Sequence, residues 1–383
     1  MYRIVRFLIR GALNIYYSKI SVSEAVFLKS KGPLILAANH PNSFMDAIIL
    51  ASRYEEPIHF LAFGELTDRI FVQRALKILR IIPVYSIKEK NENQYLNDIS
   101  FAVCVDVLLK NGILLIFPEG LSENNWKLRP FKKAAARIVL SAQQHAELQS
   151  RLCIQPVGLN YNSYDFPGKK VHIQFGNPIS PLAILLGSTD AEKINSLNRV
   201  LRERISETIL QTEYRSDLVQ TLISNGLPGD NNKFKRLQYR LENSNSTNIF
   251  ASLKKPGYLI AGEYTFGRSL VLTLLLTMPA VIVWITHIFL YYPIKLFVRN
   301  KMKQSVYFDS VIFITLFLTY PFYWLALNFL LFFLFKNIFM QILFLGMPFL
   351  ARSYVCWREN VQRLRNYFIL DPIQRNQARE YFN

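Results

Sequence analysis

Cysteine is scarce in this sequence: three residues in 383, Cys104, Cys153 and Cys356, far apart and with no CxxC pair. Such a set excludes a disulfide scaffold, offers no zinc-ligand spacing and suits a reduced compartment. Acidic residues are also short, with 27 Asp and Glu against 45 Lys and Arg, a formal charge of +18. No triplet glycine repeat is present and hydrophobic residues reach 51%, so collagen-like and disordered chains are excluded. GxGxxG, Walker, HExxH and GxSxG patterns are all missing. Dinucleotide, nucleoside-triphosphate and zinc-peptidase chemistry, and a nucleophile elbow, therefore lose their sequence support.

Charge is missing locally as well. Residues Ser269–Ile294 and Ser310–Phe335 each run 26 positions without Asp, Glu, Lys or Arg, and Asn337–Ala351 adds 15 more after Lys336. About 20 apolar residues span a bilayer as a helix, so the first two runs predict membrane helices and the third is short for one. Lys254, Lys255 and Arg268 precede the first run, and Lys295, Arg299, Lys301 and Lys303 follow it. Basic flanks mark the cytoplasmic side, which a single crossing would place on opposite faces. The expectation is that Pro279 breaks the first run into a hairpin that dips in and returns, and that residues 310–351 fold back near Lys336.

At the other end, Arg3, Arg6 and Arg10 share one helical face, and Ile4, Val5, Leu8, Ala12 and Ile15 share another. This predicts an interfacial helix whose arginines meet anionic lipid; a signal peptide and an amphipathic core helix are the rival readings. Between these anchors, strands are predicted at Leu34–Ala38, Ile58–Ala62, Ile82–Tyr85, Ile113–Phe117, Cys153–Leu159 and Val171–Phe175. Helices are predicted at Phe44–Arg53, Ile70–Leu79, Glu92–Lys110 and Lys132–His145. Their alternation argues for an α/β sheet covered by helices. The capping box at Thr189 and Glu192 opens a further helix to about Gln211. Asn225–Asn248, rich in Asn, Ser, Gly and Asp, reads as a loop or linker.

Three segments carry candidate chemistry. Asn39-His40-Pro41-Asn42-Ser43-Phe44-Met45-Asp46 follows a predicted strand and opens a predicted helix. A histidine there can take a proton from a hydroxyl if an aspartate fixes its tautomer; a plain N-cap cluster is the other reading. Phe117-Pro118-Glu119-Gly120 ends a strand and is followed by Lys127, Arg129, Lys132 and Lys133. Glycine lets backbone approach a ligand and the cations suit phosphate, though a solvated basic helix after a Pro-Gly turn would look the same. Ile154-Gln155-Pro156-Val157-Gly158-Leu159-Asn160-Tyr161 is an apolar strand broken by Pro and Gly.

In this order and spacing the three resemble the motifs of the glycerolipid acyltransferases, the glycerol-3-phosphate and lysophosphatidic acid acyltransferases. The resemblance covers roughly residues 30–180 and includes Leu128-Arg129-Pro130-Phe131-Lys132 and Phe175-Gly176-Asn177-Pro178-Ile179. Membrane segments after the catalytic domain are similar to the fungal glycerol-3-phosphate/dihydroxyacetone-phosphate branch. Two departures stand out. Five residues, not four, separate His40 from Asp46, and Ile82-Pro83-Val84 is followed by Tyr85 and Ser86 where the family usually has an Arg two residues on. Arg80, Arg74 or Lys88 are the candidate replacements.

The resemblance implies a mixed sheet flanked by helices. With the runs and faces read above, the expected organisation is an interface helix over 1–22, an acyltransferase domain over 23–185, a helical extension and linker over 186–265, membrane helices over 266–355 and a basic tail over 356–383. The resemblance implies O-acyl transfer in phospholipid synthesis, with no cofactor, from acyl-CoA or acyl-carrier protein as co-substrate to a glycerolipid acceptor at an anionic membrane, with the domain on the cytoplasmic face. His40 is the implied general base and Asp46 its partner. Glu119, Gly120, Arg129, Lys132, Arg74, Arg80 and Pro156 are the implied substrate contacts, with no metal. Lysophospholipid or lyso-aminolipid acylation, and a non-catalytic lipid-binding membrane protein, are the alternatives; nucleic acid is not an expected partner.

Overall fold

The computed structural model describes residues 2–63, 77–85, 92–164, 167–185, 187–211, 216–227, 231–243, 258–260, 264–302, 305–336 and 346–376. Helix α1 (Tyr2–Tyr16) runs into strand β1 (Tyr17–Ser23). Then come β2 (Leu34–Ala38), α2 (Phe44–Arg53), β3 (Ile58–Phe63), β4 (Ile81–Val84), α3 (Glu92–Leu109), β5 (Ile113–Ile116), α4 (Ala134–Gln143) and the short α5 (Ala146–Gln149). β6 (Cys153–Tyr161) and β7 (Lys169–Phe175) complete a sheet of order β1-β7-β6-β2-β5-β3-β4. The strands from β6 to β4 are parallel, while β7 runs antiparallel to β6 and carries β1 with it. The sheet is mixed, as expected.

Because successive strand residues point to opposite faces, each central strand feeds two cores. Leu34, Leu36 and Ala38 of β2 join Ile113 and Leu115 of β5 under α1 and α2. Ile35 and Ala37, with Leu114 and Ile116, join the opposite core under α3, α4 and α6 (Asp190–Ser206). Burial on both faces is what near-continuous apolar strands of a parallel sheet require. The ends of β2 and β5 that carry the first two motifs therefore emerge together at one edge.

The predicted strands and most predicted helices stand within a few residues of their expected positions, and the Thr189–Glu192 capping box is formed at the start of α6. That helix stops at Ser206 rather than near Gln211. The expected helix Ile70–Leu79 falls largely outside the described residues. Within the expected linker, Asn231–Asn243 forms helix α8 after α7 (Ser216–Asn225). Its buried Phe234 and Leu241, with Leu237 packed between them, recur at helical spacing beneath a polar composition.

The C-terminal region corrects two expectations. Helix α9 spans Phe266–Lys301 without a break, with Pro279 and Pro293 inside it. At 1.5 Å per residue it is about 54 Å long, so the expected hairpin at Pro279 does not form. A helix proline removes one donor, and helices in membranes tolerate that loss because neighbouring helices and Ser/Thr side chains compensate; α9 lies along α11 (Met347–Ile369). The expected basic tail from 356 is, up to Ile369, the second half of α11, where Glu359, Asn360 and Arg363 are buried. α10 (Phe308–Phe335) ends at Lys336 in a left-handed turn, φ 46°, and most of the third apolar run lies outside the described residues. α9 and α10 are long and apolar enough to cross a membrane. Only 17% of the most apolar window of each is buried, so Leu274, Met278, Phe289, Leu318, Phe322 and Phe329 face outward. A soluble core helix would bury them.

One buried titratable group tests the β1–β7 seam. His172 is 1% exposed, with Nδ1 on Ser21 Oγ at 2.9 Å and Nε2 near Ser23 Oγ at 3.0 Å and Gln174 Oε1 at 3.2 Å. Burial, with the Lys19 charge adding a little, pushes its pKa down from 6.5 to about 4. An unfolded chain binds this proton near pH 6.5 and the folded one does not. The associated stability is therefore complete above pH 6.5 and is lost as pH falls toward 4, by about 3 kcal/mol at most. Thermal melts of wild type and His172→Gln between pH 7 and 4.5 are expected to show a steeper acid loss for wild type.

Candidate active site

β2 ends two residues before His40, and α2 begins four residues after it. Between them Ser43 takes a left-handed backbone, φ 49°, with its N–H donated to Ser122 Oγ at 2.7 Å. Such a conformation in a non-glycine residue costs of order 1–3 kcal/mol and persists only where surroundings fix it. It lets the chain enter α2 with Asp46 in the first turn, aimed back at the strand end. His40 Nδ1 and Asp46 Oδ2 stand 2.9 Å apart. The spacing of five intervening residues is thus compatible with contact.

Asp46 is fully buried. Its Oδ2 also accepts from the Asn42 N–H at 2.8 Å, and its Oδ1 accepts from Tyr161 OH at 2.7 Å. A buried carboxylate is tolerable only with such donors, and the N-terminus of α2 adds a favourable dipole. With a carboxylate on Nδ1, the neutral ring carries its proton there and leaves the Nε2 lone pair open. Nε2 has no hydrogen-bond partner among the described residues, and the side chain is 17% exposed. The ring stacks on Phe117 at 3.9 Å and 11°, which fixes its plane.

The second motif forms the other wall. Glu119 Oε1 accepts from the His40 N–H at 2.8 Å, and its Oε2 accepts from Arg129 Nε at 3.1 Å and from the Arg129 N–H at 3.2 Å. Arg129 Nη1 reaches Glu123 at 3.3 Å. Glu119 is therefore a brace between the two motifs, and Arg129 already faces two carboxylates. Gly120 sits at φ 73°, with the Lys132 stem over it: a Cβ there would stand 2.7 Å from Lys132 Cγ. The exposed Lys132 is anchored through its N–H to Pro118 O at 2.7 Å.

Two expected contacts lie elsewhere. Pro156 pairs with Ala37, three residues before His40, and is packed on Gly176 inside the sheet. Arg80 precedes β4, whose first residue is level, across β3 and β5, with Leu36, four residues short of His40. Its guanidinium bonds His59 Nε2 at 3.1 Å and covers the Tyr2 ring. A strand's beginning lies away from the carboxyl edge where the motifs gather. Arg74 is outside the described residues.

Tyr161 was not singled out by the sequence, though its strand was. It follows Val157 and Leu159 on the same face, the one signal available. Burial above all, then the Asp46 charge, raises its pKa well above the usual phenol value, so it remains a donor through the alkaline range. Asn39 was also missed: it holds β6 in place by exchanging bonds with Leu159, Nδ2 to O at 3.1 Å and N to Oδ1 at 2.7 Å.

The Acyltransferase family model matches residues 19–160. That segment, which contains both motifs and Tyr161's neighbours on β6, is an acyltransferase domain, and the chain is an enzyme of that class. Comparison with curated proteins gives no match. Among solved structures, the 1-acyl-sn-glycerophosphate (LPA) acyltransferase PlsC from Thermotoga maritima aligns with a TM-score of 0.40 at 17% identity, covering 54% of this chain and 78% of that one.

Tyr161→Phe keeps the ring and removes one bond to the carboxylate. The expected result is an acyl-transfer rate about tenfold lower with acceptor KM unchanged, since hydrogen bonds to charged groups are worth about 1.5–3 kcal/mol. Steady-state kinetics with the fraction folded measured in parallel checks this.

Proposed function

We propose that this chain is a membrane-seated O-acyltransferase that moves a fatty acyl group from a thioester, acyl-CoA or acyl-carrier protein, to a hydroxyl of a glycerolipid precursor. Glycerol-3-phosphate and lysophosphatidic acid are the proposed acceptors. The observation that carries the reading is the 2.9 Å contact between His40 and a buried Asp46 beside the Phe117–Gly120 turn. His40 Nε2 takes the acceptor's proton as the oxygen attacks the thioester carbonyl, forming the C–O bond. Asp46 stabilises the imidazolium; the tetrahedral centre then collapses, the C–S bond breaks and the thiolate recovers the proton. No covalent enzyme intermediate is needed.

The oxyanion requires donors. The N–H groups of His40, Asn42, Ser43, Met45, Asp46 and Gly120 are all committed to other acceptors, so the donors come from outside this set. The membrane seat is supported by position: Phe44 of α2 packs on Tyr307, one residue before α10, with ring centroids 5.8 Å apart. Where α10 enters a bilayer, the site lies at the lipid boundary. An acyl chain costs about 0.8 kcal/mol per CH₂ to move into water, and a site at that boundary avoids the transfer. On α1, exposed Ile4, Phe7 and Leu8 add an apolar strip suited to the headgroup plane. The +18 charge favours an anionic cytoplasmic leaflet.

A second reading has its own observation. Arg129 is paired with Glu119 and Glu123, and Arg80 lies away from the site. This favours acceptors without a free phosphate monoester, lysophospholipids or lyso-aminolipids. Lys132, an exposed cation over Gly120, argues the other way.

Purified protein with acyl-CoA and a panel of glycerol-3-phosphate, lysophosphatidic acid, lysophospholipids and lyso-aminolipids is the test, with products read by mass spectrometry. An acylated product is expected in one class, with His40→Ala at least about a hundredfold slower. No product in any well, or full activity in His40→Ala, contradicts the reading.

A further inference from the structure

The dyad's buried carboxylate leads, through one side chain, to a second buried carboxylate at the start of a membrane helix. Asn42 lends its N–H to Asp46 Oδ2 at 2.8 Å, and its side-chain Nδ2 donates to Asp309 Oδ2 at 2.9 Å. Asp309 is the second residue of α10, 267 positions away in sequence. It is 2% exposed, accepts from Tyr16 OH at 2.7 Å and forms an ion pair with Lys169, which is itself fully buried. The Lys169 ammonium lies over the rings of Tyr16 and Tyr17 at 5.6 and 5.4 Å. Four elements meet here: α1 through Tyr16, β1 through Tyr17, β7 through Lys169 and α10 through Asp309.

Two ionised groups cost several kcal/mol each to bury, and apolar residues of similar volume would often serve stability as well. Retention of this pair just behind the His40–Asp46 turn calls for an account other than stability alone. The turn contains Ser43 in its strained conformation, and both polar ends of Asn42's donor set are tied, one to each carboxylate. The Asp309 anchor pins the Asn42 side chain, and with it the tight 41–43 turn whose backbone N–H reaches Asp46 Oδ2; without the anchor that turn is free to shift and the N–H contact loosens.

We propose that Asp309, held by Lys169 and acting through Asn42, is a positioning residue for the His40–Asp46 dyad, so that the first turn of the membrane helix is part of the site. The inference rests on the acyl-transfer reading for its kinetic consequence, while its geometric consequence stands by itself. It makes catalysis sensitive to how α10 is seated: a helix displaced at its start displaces Asn42 and loosens the carboxylate from the imidazole.

The test uses the full chain in lipid nanodiscs. Asn42→Ala removes the link and leaves the ion pair intact. The paired change Lys169→Met with Asp309→Leu removes the link without leaving one buried charge unpaired. Both are expected to lower kcat about tenfold, with donor and acceptor KM within twofold of wild type. Lys169→Met with Asp309→Asn, which keeps an acceptor oxygen for Asn42 and leaves no buried charge unpaired, is expected to recover part of the loss relative to the Met/Leu pair. The nitrogen-15 signature of the His40 ring is the second readout: looser contact with Asp46 mixes the Nδ1–H tautomer that the carboxylate selects. Variants that fold with wild-type kcat and a wild-type His40 tautomer overturn the proposal. A wild-type protein that acylates nothing overturns the acyl-transfer reading, and the His40 tautomers of the variants then decide the positioning role.

Discussion

The structure at the motif edge is organised by one buried carboxylate. Asp46 sits where no water can solvate it, and an unsatisfied charge there would be far more costly than the fold could offset. Three donors meet it: the ring of His40 from the end of β2, the Asn42 N–H from the turn, and Tyr161 OH from the last position of β6. None of these can move without exposing the charge to a poorer environment. The result is an imidazole held in one plane, with its far nitrogen turned to where a hydroxyl can come. Phe117 and Glu119 secure the same ring and the same backbone from the second motif.

The same region joins the long apolar helices to the sheet through shared packing and a buried ion pair. α1, α2 and the first turns of α10 share an apolar core with β2, β5, β6 and β7. The same core encloses the Lys169–Asp309 pair, which the sheet and α10 contribute jointly. Beyond this point α10 turns its apolar side chains outward. The His40–Asp46 turn and this outward apolar surface are bridged by the aromatic contact between Phe44 and Tyr307.

Much of this was readable in the residues. Apolar runs bounded by turn residues located the strands, 3.6-residue periodicity located α2, α3 and α4, and the Thr189–Glu192 capping box located α6. The His40–Asp46 pairing was legible because a strand end and a helix start stand close in sequence. What remained hidden was long-range. Tyr161 lies 115 residues from Asp46 and Asp309 lies 267 from Asn42, and no local spacing announces such meetings. Pro156 stood out as a strand proline, yet register places it in the sheet body; Arg80 stood out as a nearby cation, yet it sits just before the start of β4 rather than at its end. The Pro279 hairpin failed because packing along α11 outweighs a local helix-breaking preference. α8 was masked by polar composition around a sparse apolar stripe.

The central claim is that the His40 ring is neutral, protonated on Nδ1 toward Asp46, with Nε2 available as the base. Nitrogen-15 NMR of histidine-labelled protein in nanodiscs at pH 7.5, with His40 assigned by substitution, measures this directly. The account predicts a single Nδ1–H tautomer for His40 that becomes mixed in Asp46→Asn. A wild-type ring protonated on Nε2, or tautomers distributed as in free imidazole, would contradict it.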